Sequence, residues 1–340
     1  MKVVCIGDVF VTAEMMEQGV RPFLAPEDEL QTFFFGVPDR SAMRIVAKEL
    51  EEGGRERIAV PDGLFEAVAD AEVIINHLSP INRDLLEAAP KLKAVMSCRG
   101  GMENLDVAAA TELGIIISNN PAHNANAVAE YAIGLILSET RNIARSHFAL
   151  KNGEWRKVYP NSKTTIRELC DMAVGIVGFG SIGRLVAGKL KPFGCRILAF
   201  DPFMKNPGED VEAVSLDELL TRSDIVTLHA RSDHAIMNDR EFGLMKENSY
   251  LINSARSYLV DPEAFCRAMD SGKLLGAAFD VFETEPNIPE FYLKYDNVTL
   301  TSHRAGDTIN AYKDAPKFAI KNYLGWKNGG ELRFWANKPR

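Results

Sequence analysis

Residues 173–190 read AVGIVGFGSIGRLVAGKL, and this stretch decides the fold. Gly178, Gly180 and Gly183 stand in a G-x-G-x-x-G spacing. Alone that spacing is a weak signal. Here it follows an apolar run at 173–177, opens a helical pattern at 182–190, and leads to a second apolar run at 197–200 that ends in Asp201. Strand, glycine turn, helix and strand together begin a dinucleotide-binding unit. The first glycine permits the tight turn, the second lets the backbone approach a pyrophosphate, and the third lets helix and strand pack closely. The first helical residues, Ser181, Ile182 and Gly183, then present free N–H groups and the positive end of the helix dipole to the phosphates. Asp201 lies 18 positions beyond Gly183, about where a carboxylate binds the ribose hydroxyls of an adenosine. It would repel the extra phosphate of NADP, and no Arg follows it directly, so NAD is the expected cofactor.

Working outward, short β-branched runs alternate with helical patterns along most of the chain, the signature of parallel strands joined by crossover helices. Strands are expected at 3–6, 73–75, 94–96 and 115–117, and a helix at 105–113 ended by Gly114. A second α/β run extends from 172 to about 300. The fold class is α/β, with two Rossmann-like doubly wound parallel sheets. Residues 124–150 form the longest helix candidate, free of Pro, and residues from 305 onward read as one more helix and a tail containing Trp335. The stretch 21–40, rich in Pro, Phe and acidic residues, receives no assignment.

At 340 residues and 46% hydrophobic content the chain can bury a core in each of two domains. A net charge of -8 without a long basic run argues against a nucleic-acid partner, whose phosphates require clustered Lys and Arg. It leaves an anionic substrate open, because a local pocket can be basic inside an acidic protein. No apolar run approaches the ~20 residues needed to span a bilayer, so no membrane partner and a cytoplasmic location are expected. The five cysteines show no Cys-x-x-Cys spacing, which predicts reduced thiols and no metal.

Five further segments stand in a telling order: RGGMENLD at 99–106, NANAVAEYAIGLIL at 124–137, NSARSYLVD at 253–261, DVFETEP at 280–286 and TSHRAG at 301–306. With them the chain resembles the D-isomer-specific 2-hydroxyacid dehydrogenase family over nearly its whole length, most strongly from about 96 to 306. The resemblance implies a discontinuous substrate domain, 1–118 with 305–340, a NAD-binding domain at 119–304, and an active site in the cleft between them. It makes Arg256, Glu285 and His303 the catalytic set. It places Ala255, Asp280, His303 and Gly306 beside the cofactor, and the amides of Gly100 and Gly101 at the substrate carboxylate. It also implies a homodimer built on the helix at 124–150.

The implied chemistry requires those residue types. Hydride arriving at C2 of a 2-oxo acid leaves negative charge on the carbonyl oxygen, and His is the side chain that donates a proton near neutrality. In the oxidative direction His303 would act as base. A carboxylate, Glu285, would favour the imidazolium and orient it. Arg256 can hold the substrate carboxylate with two donors, more rigidly than Lys. His123, His147, His229 and His234 are expected to be structural or exposed. His77 follows the apolar run at 73–76 and joins Arg99 as a substrate-binding candidate.

Several positions depart from the family pattern. Ser257 stands where Gly is usual, Ala230 and Arg231 replace a common Pro and apolar pair, and Arg304 replaces a usual Ile. His77, Arg99, Ser257 and Arg304 together predict a polar pocket, which suits short 2-oxo acids bearing hydroxyl groups or a second anion better than 2-oxoisocaproate. Two other readings share the cofactor motifs: a formate- or phosphite-type dehydrogenase, and a NAD-sensing binding protein of the corepressor kind.

Overall fold

The computed structural model describes residues 1–51, 53–159 and 166–337. The chain divides into two compact units, Met1–Asn124 with Thr308–Arg340, and Ala125–Asp307.

The first unit opens with β1 (Lys2–Gly7), α1 (Ala13–Val20), β2 (Glu29–Phe34), α2 (Arg40–Glu51) and α3 (Leu64–Val68). It continues with β3 (Val73–Asn76), α4 (Arg83–Glu87), β4 (Ala94–Ser97), α5 (Val107–Glu112) and β5 (Ile116–Ser118). The strands pair in the order β2-β1-β3-β4-β5, all parallel. β1, β3, β4 and β5 are buried on both faces, which is why each reads as an unbroken apolar run. The unassigned stretch at 21–40 holds β2, which pairs with β1 from Lys2↔Glu29 to Gly7↔Phe34. As an edge strand, ELQTFF is only half-buried and lacks the apolar run that marks its neighbours. The helix expected at 105–113 starts two residues later. Leu105 is sealed in the core and bridges Ile81, while the Asp106 side chain accepts the Ala109 N–H at 2.9 Å and caps α5.

The second unit begins with α6 (Ala125–Arg141) and α7 (Ile143–Lys151). There follow β6 (Ala173–Val177), α8 (Ser181–Leu190), β7 (Arg196–Phe200), β8 (Glu212–Ala213), α9 (Leu216–Arg222) and β9 (Ile225–Leu228). Then come α10 (Asp239–Leu244), β10 (Ser249–Asn253), α11 (Pro262–Asp270), β11 (Leu274–Phe279), α12 (Glu290–Leu293) and β12 (Val298–Leu300). The seven strands are parallel in the order β12-β11-β10-β9-β6-β7-β8. The order reverses between β6 and β9, and doubly wound sheets bind ligands outside the strand ends at that point. The single helix expected over 124–150 is broken. Asn142 takes a left-handed φ of 57°, and the chain turns there so that Arg145 meets the buried Glu139. After β12 the chain re-enters the first unit as α13 (Ile309–Lys327), whose Ala315, Ala319, Ile320 and Tyr323 close one face of the first sheet. Among the described residues no helix is long and apolar enough to cross a membrane.

Candidate active site

The glycine turn of the second unit leaves β6 at the point of strand reversal. Gly178 has a φ of 91°, and a Cβ there would sit 2.5 Å from the backbone nitrogen of Ala230, on the loop after β9. A Cβ on Gly183 would sit 2.2 Å from the Gly178 carbonyl oxygen, so only glycine lets α8 lie this close to β6. Gly180 differs: a Cβ there would meet nothing within 4 Å, and the open side of the turn is where a ligand's phosphates can approach. Gly180 is also the N-cap of α8 and supplies no side chain to cap it, so the amides of Ser181, Ile182 and Gly183 lack a capping partner. Asp201, at the end of β7, accepts the Phe179 N–H on Oδ2 and the Phe203 N–H on Oδ1, both at 2.8 Å. Each oxygen keeps a lone pair for a ribose hydroxyl, and the carboxylate is fixed against the glycine turn. Uncapped amides, an open glycine and an oriented carboxylate fit a dinucleotide.

The loop after β12 carries His303, which holds a left-handed φ of 51°. A non-glycine residue stays there only when its surroundings impose it. Asp280, fully buried just after β11, does so. Its Oδ1 accepts the Thr301 hydroxyl at 2.6 Å and the Arg304 N–H at 2.9 Å, and its Oδ2 accepts the Ala305 N–H at 2.8 Å. Glu285 lies in the loop after β11, where its Oε1 accepts the Phe282 N–H at 2.9 Å and its Oε2 meets His303 Nδ1 at 2.8 Å. The carboxylate thus favours a proton on Nδ1, and the half-exposed ring presents Nε2 outward. Gly306 follows on the same loop.

Ala255 and Arg256 stand after β10. Asn253, the last residue of that strand, donates to the Arg256 carbonyl at 2.9 Å and accepts the Ala255 N–H at 3.0 Å, which shapes the loop. The exposed Arg256 guanidinium donates to the Ala255 carbonyl at 2.7 Å. No carboxylate among the described residues pairs with it, so its remaining donors stay available. Of the departures from the family pattern, Arg304 pairs with Asp307 at 2.8 Å, Ser257 opens a single 3-10 turn, and Arg231 is exposed.

In the first unit, His77, Arg99, Gly100 and Gly101 lie after β3 and β4, at the C-terminal strand ends. His77 is buried and its Nδ1 meets Asp8 Oδ2 at 2.6 Å. Asp8 escaped the sequence reading. The available signal was a carboxylate directly after an apolar strand, but its pairing across two strands is a tertiary fact. Burial opposes ionisation of Asp8, yet His77 and the N–H groups of Phe10 and Val11 outweigh it and hold the carboxyl below its usual range. Asn119 donates to the Gly100 carbonyl at 2.7 Å. The other histidines are placed variously: burial lowers His123 and His229 to about 4, while His147 and His234 are exposed.

The family model for the D-isomer specific 2-hydroxyacid dehydrogenase, NAD binding domain, matches residues 133–305. A D-3-phosphoglycerate dehydrogenase of Methanocaldococcus jannaschii is 37% identical over 283 residues, covering 79% of this chain and 52% of that protein, so this chain spans about half its length. A hydroxypyruvate reductase of Thermotoga maritima is 34% identical over 282 residues, covering 81% of this chain and 91% of that protein. The NAD-complexed D-isomer specific 2-hydroxyacid dehydrogenase of Lactobacillus delbrueckii ssp. bulgaricus superposes with a TM-score of 0.77, covering 99% of this chain and 100% of that one, at 20% identity, a likeness of fold. These relatives do not favour the formate-, phosphite- or corepressor-type readings. The chain is an NAD-dependent oxidoreductase and belongs to the D-isomer specific 2-hydroxyacid dehydrogenase family.

Proposed function

We propose that this protein interconverts a short, polar 2-oxo acid and the corresponding D-2-hydroxy acid. The observation that carries the reading is the His303–Glu285 pair at 2.8 Å, on a loop that Asp280 pins from beneath. Bound NADH supplies the hydride that adds to C2. His303 donates the proton to the C2 oxygen from Nε2, and Glu285 stabilises the imidazolium before transfer and holds the ring. In the oxidative direction the same nitrogen takes the proton. Arg256 grips the substrate carboxylate and polarises the C2 carbonyl with its unpaired donors. The amides of Gly100 and Gly101 serve the same carboxylate, and His77 and Arg99 contact the rest of the acid.

On this reading the first unit is the substrate domain and the second the cofactor domain. Ala255, Asp280 and Gly306 border the nicotinamide, and Asp201 selects NAD over NADP. A polar substrate is supported by His77, Arg99 and Ser257, and by a relative named for hydroxypyruvate. Arg304 supports it less, since Asp307 already engages it.

A homodimer belongs to the same proposal, built on the part of 124–150 that follows Asn142. α6 is mostly buried, whereas α7 and the residues after it expose Ile143, Phe148 at 70%, Leu150, Trp155 at 77% and Val158. An apolar surface of this kind is characteristic of a covered interface. Five free cysteines suit the reducing cytoplasm. The test is NADH oxidation, followed by absorbance, with glyoxylate, pyruvate, hydroxypyruvate, oxaloacetate and 2-oxoisocaproate. Turnover led by hydroxypyruvate or oxaloacetate supports the reading. Turnover led by 2-oxoisocaproate, or by none of the acids, refutes it.

A further inference from the structure

We propose that Asp8 is a positioning residue that holds His77 as hydrogen-bond acceptor for a hydroxyl on C3 of the substrate, so that the pair sets the preference for 2-oxo acids with a hydroxyl at that carbon. The inference rests on the substrate class given above and names the residues that would enforce it.

Asp8 and His77 are the first residues after β1 and β3, neighbouring strands of the first sheet. The strand order reverses there, since β2 lies on the far side of β1 and β4 beyond β3. Ligands of doubly wound sheets bind outside the C-terminal strand ends at such a reversal. The pair is therefore where a ligand is expected, and it is costly to keep. Asp8 is fully buried, and a carboxylate taken from water must be matched group by group. The match is complete: Oδ1 accepts the N–H groups of Phe10 at 2.8 Å and Val11 at 3.1 Å, and Oδ2 faces His77 Nδ1 at 2.6 Å.

A structural clamp would be redundant, because β1 and β3 are already joined by their ladder from Val3↔Val73 to Ile6↔Asn76. What the carboxylate adds is control of the imidazole. With the Nδ1 proton committed to Asp8, Nε2 is the ring nitrogen left with its lone pair, an acceptor for a hydroxyl. It makes no hydrogen bond with any described residue and is not among the buried atoms lacking a partner, so it opens to solvent.

The ring is also held against rotation. Tyr312 meets it edge-on at 6.4 Å and is itself stacked on Phe10 at 6.0 Å, while Asn104 donates to the His77 carbonyl at 3.3 Å.

The experiment compares kcat/KM for hydroxypyruvate and pyruvate, which differ by one hydroxyl on C3, in the wild type and in His77→Gln, Asp8→Ala and Asp8→Asn, with thermal melts to verify folding. The wild type is expected to favour hydroxypyruvate. In His77→Gln the ratio should fall about tenfold or more, chiefly through a raised KM for hydroxypyruvate, because the C3 hydroxyl loses its aligned acceptor. Asp8→Ala should match it. Asp8→Asn should lose less, because its oxygen can still take the Phe10 and Val11 amides, and although its amide donates to Nδ1 and moves the proton to Nε2, a hydroxyl can accept as well as donate. A ratio within twofold of wild type in His77→Gln overturns the inference. An unchanged ratio in Asp8→Ala overturns the role of Asp8, and if that variant does not fold, Asp8→Asn decides. Wild-type turnover of pyruvate equal to that of hydroxypyruvate overturns the C3 preference alone, whereas no turnover of any 2-oxo acid overturns the proposed function itself.

Discussion

Replacing Arg145 with Met should destabilise the second unit severely, and more at pH 8 than at pH 5. Arg145 on α7 and Glu139 on α6 are both buried. The guanidinium donates to Glu139 Oε2 from Nη1 at 3.0 Å and from Nη2 at 3.2 Å, to Oε1 at 3.1 Å, and to the Glu139 carbonyl at 3.1 Å. Glu139 Oε1 also accepts the Thr299 N–H at 3.0 Å and the Thr299 hydroxyl, tying α6 to β12. Removing the cation leaves a carboxylate in the core, which costs about 3–5 kcal/mol. For a unit running from Ala125 to Asp307 each kcal/mol moves the transition by about 2–4 °C. The expected fall in Tm is thus roughly 6–20 °C.

The pH dependence follows from the direction of the Glu139 shift. Burial already raises its carboxyl above the usual value, with Arg145 the foremost opposing influence. The folded state therefore holds this proton more tightly than the unfolded state, and stability falls as pH rises from the unfolded value through the folded one. Without Arg145 that interval widens upward, so protonation at pH 5 should return part of the loss. Adding Glu139→Gln should also recover stability, since no charge then remains buried. Differential scanning calorimetry decides the matter: a Tm within about 2 °C of wild type, or an equal loss at both pH values, would refute the reasoning.

Three further outcomes follow from the same structure. His303→Ala should lower turnover by roughly 10²-fold or more while NADH still binds, read by steady-state kinetics and fluorescence titration; near-native turnover removes His303 as proton donor. Asp201→Ser should shift kcat/KM from NADH toward NADPH, and an unchanged ratio would deny Asp201 its role in cofactor choice. A maleimide should label the exposed Cys170 and spare Cys5 and Cys98, whose thiols burial pushes far up, in the folded protein; fast labelling of Cys5 by mass spectrometry would contradict the buried first strand.

Much of this protein is legible in one dimension because its decisive features are local. A strand buried on both faces must be an apolar run, so β1, β3, β4 and β6 are visible as VVCI, VIIN, AVMS and AVGIV. The glycine fingerprint is legible because steric tolerance at Gly178 and Gly183 is a property of the residue itself. β2 escaped because an edge strand has one open side and needs no continuous apolar sequence. The break at Asn142 escaped because residues 124–150 are rich in good helix formers and free of Pro, and the bend brings Arg145 to Glu139. The sequence by itself determined the fold class, the cofactor motif and the residue types at the site, which depend on backbone sterics and burial pattern. Only the tertiary structure decided that Asp280 pins the His303 loop and that Asp8 meets His77 across 69 positions, because hydrogen bonds between distant strand ends leave no periodic trace in the chain.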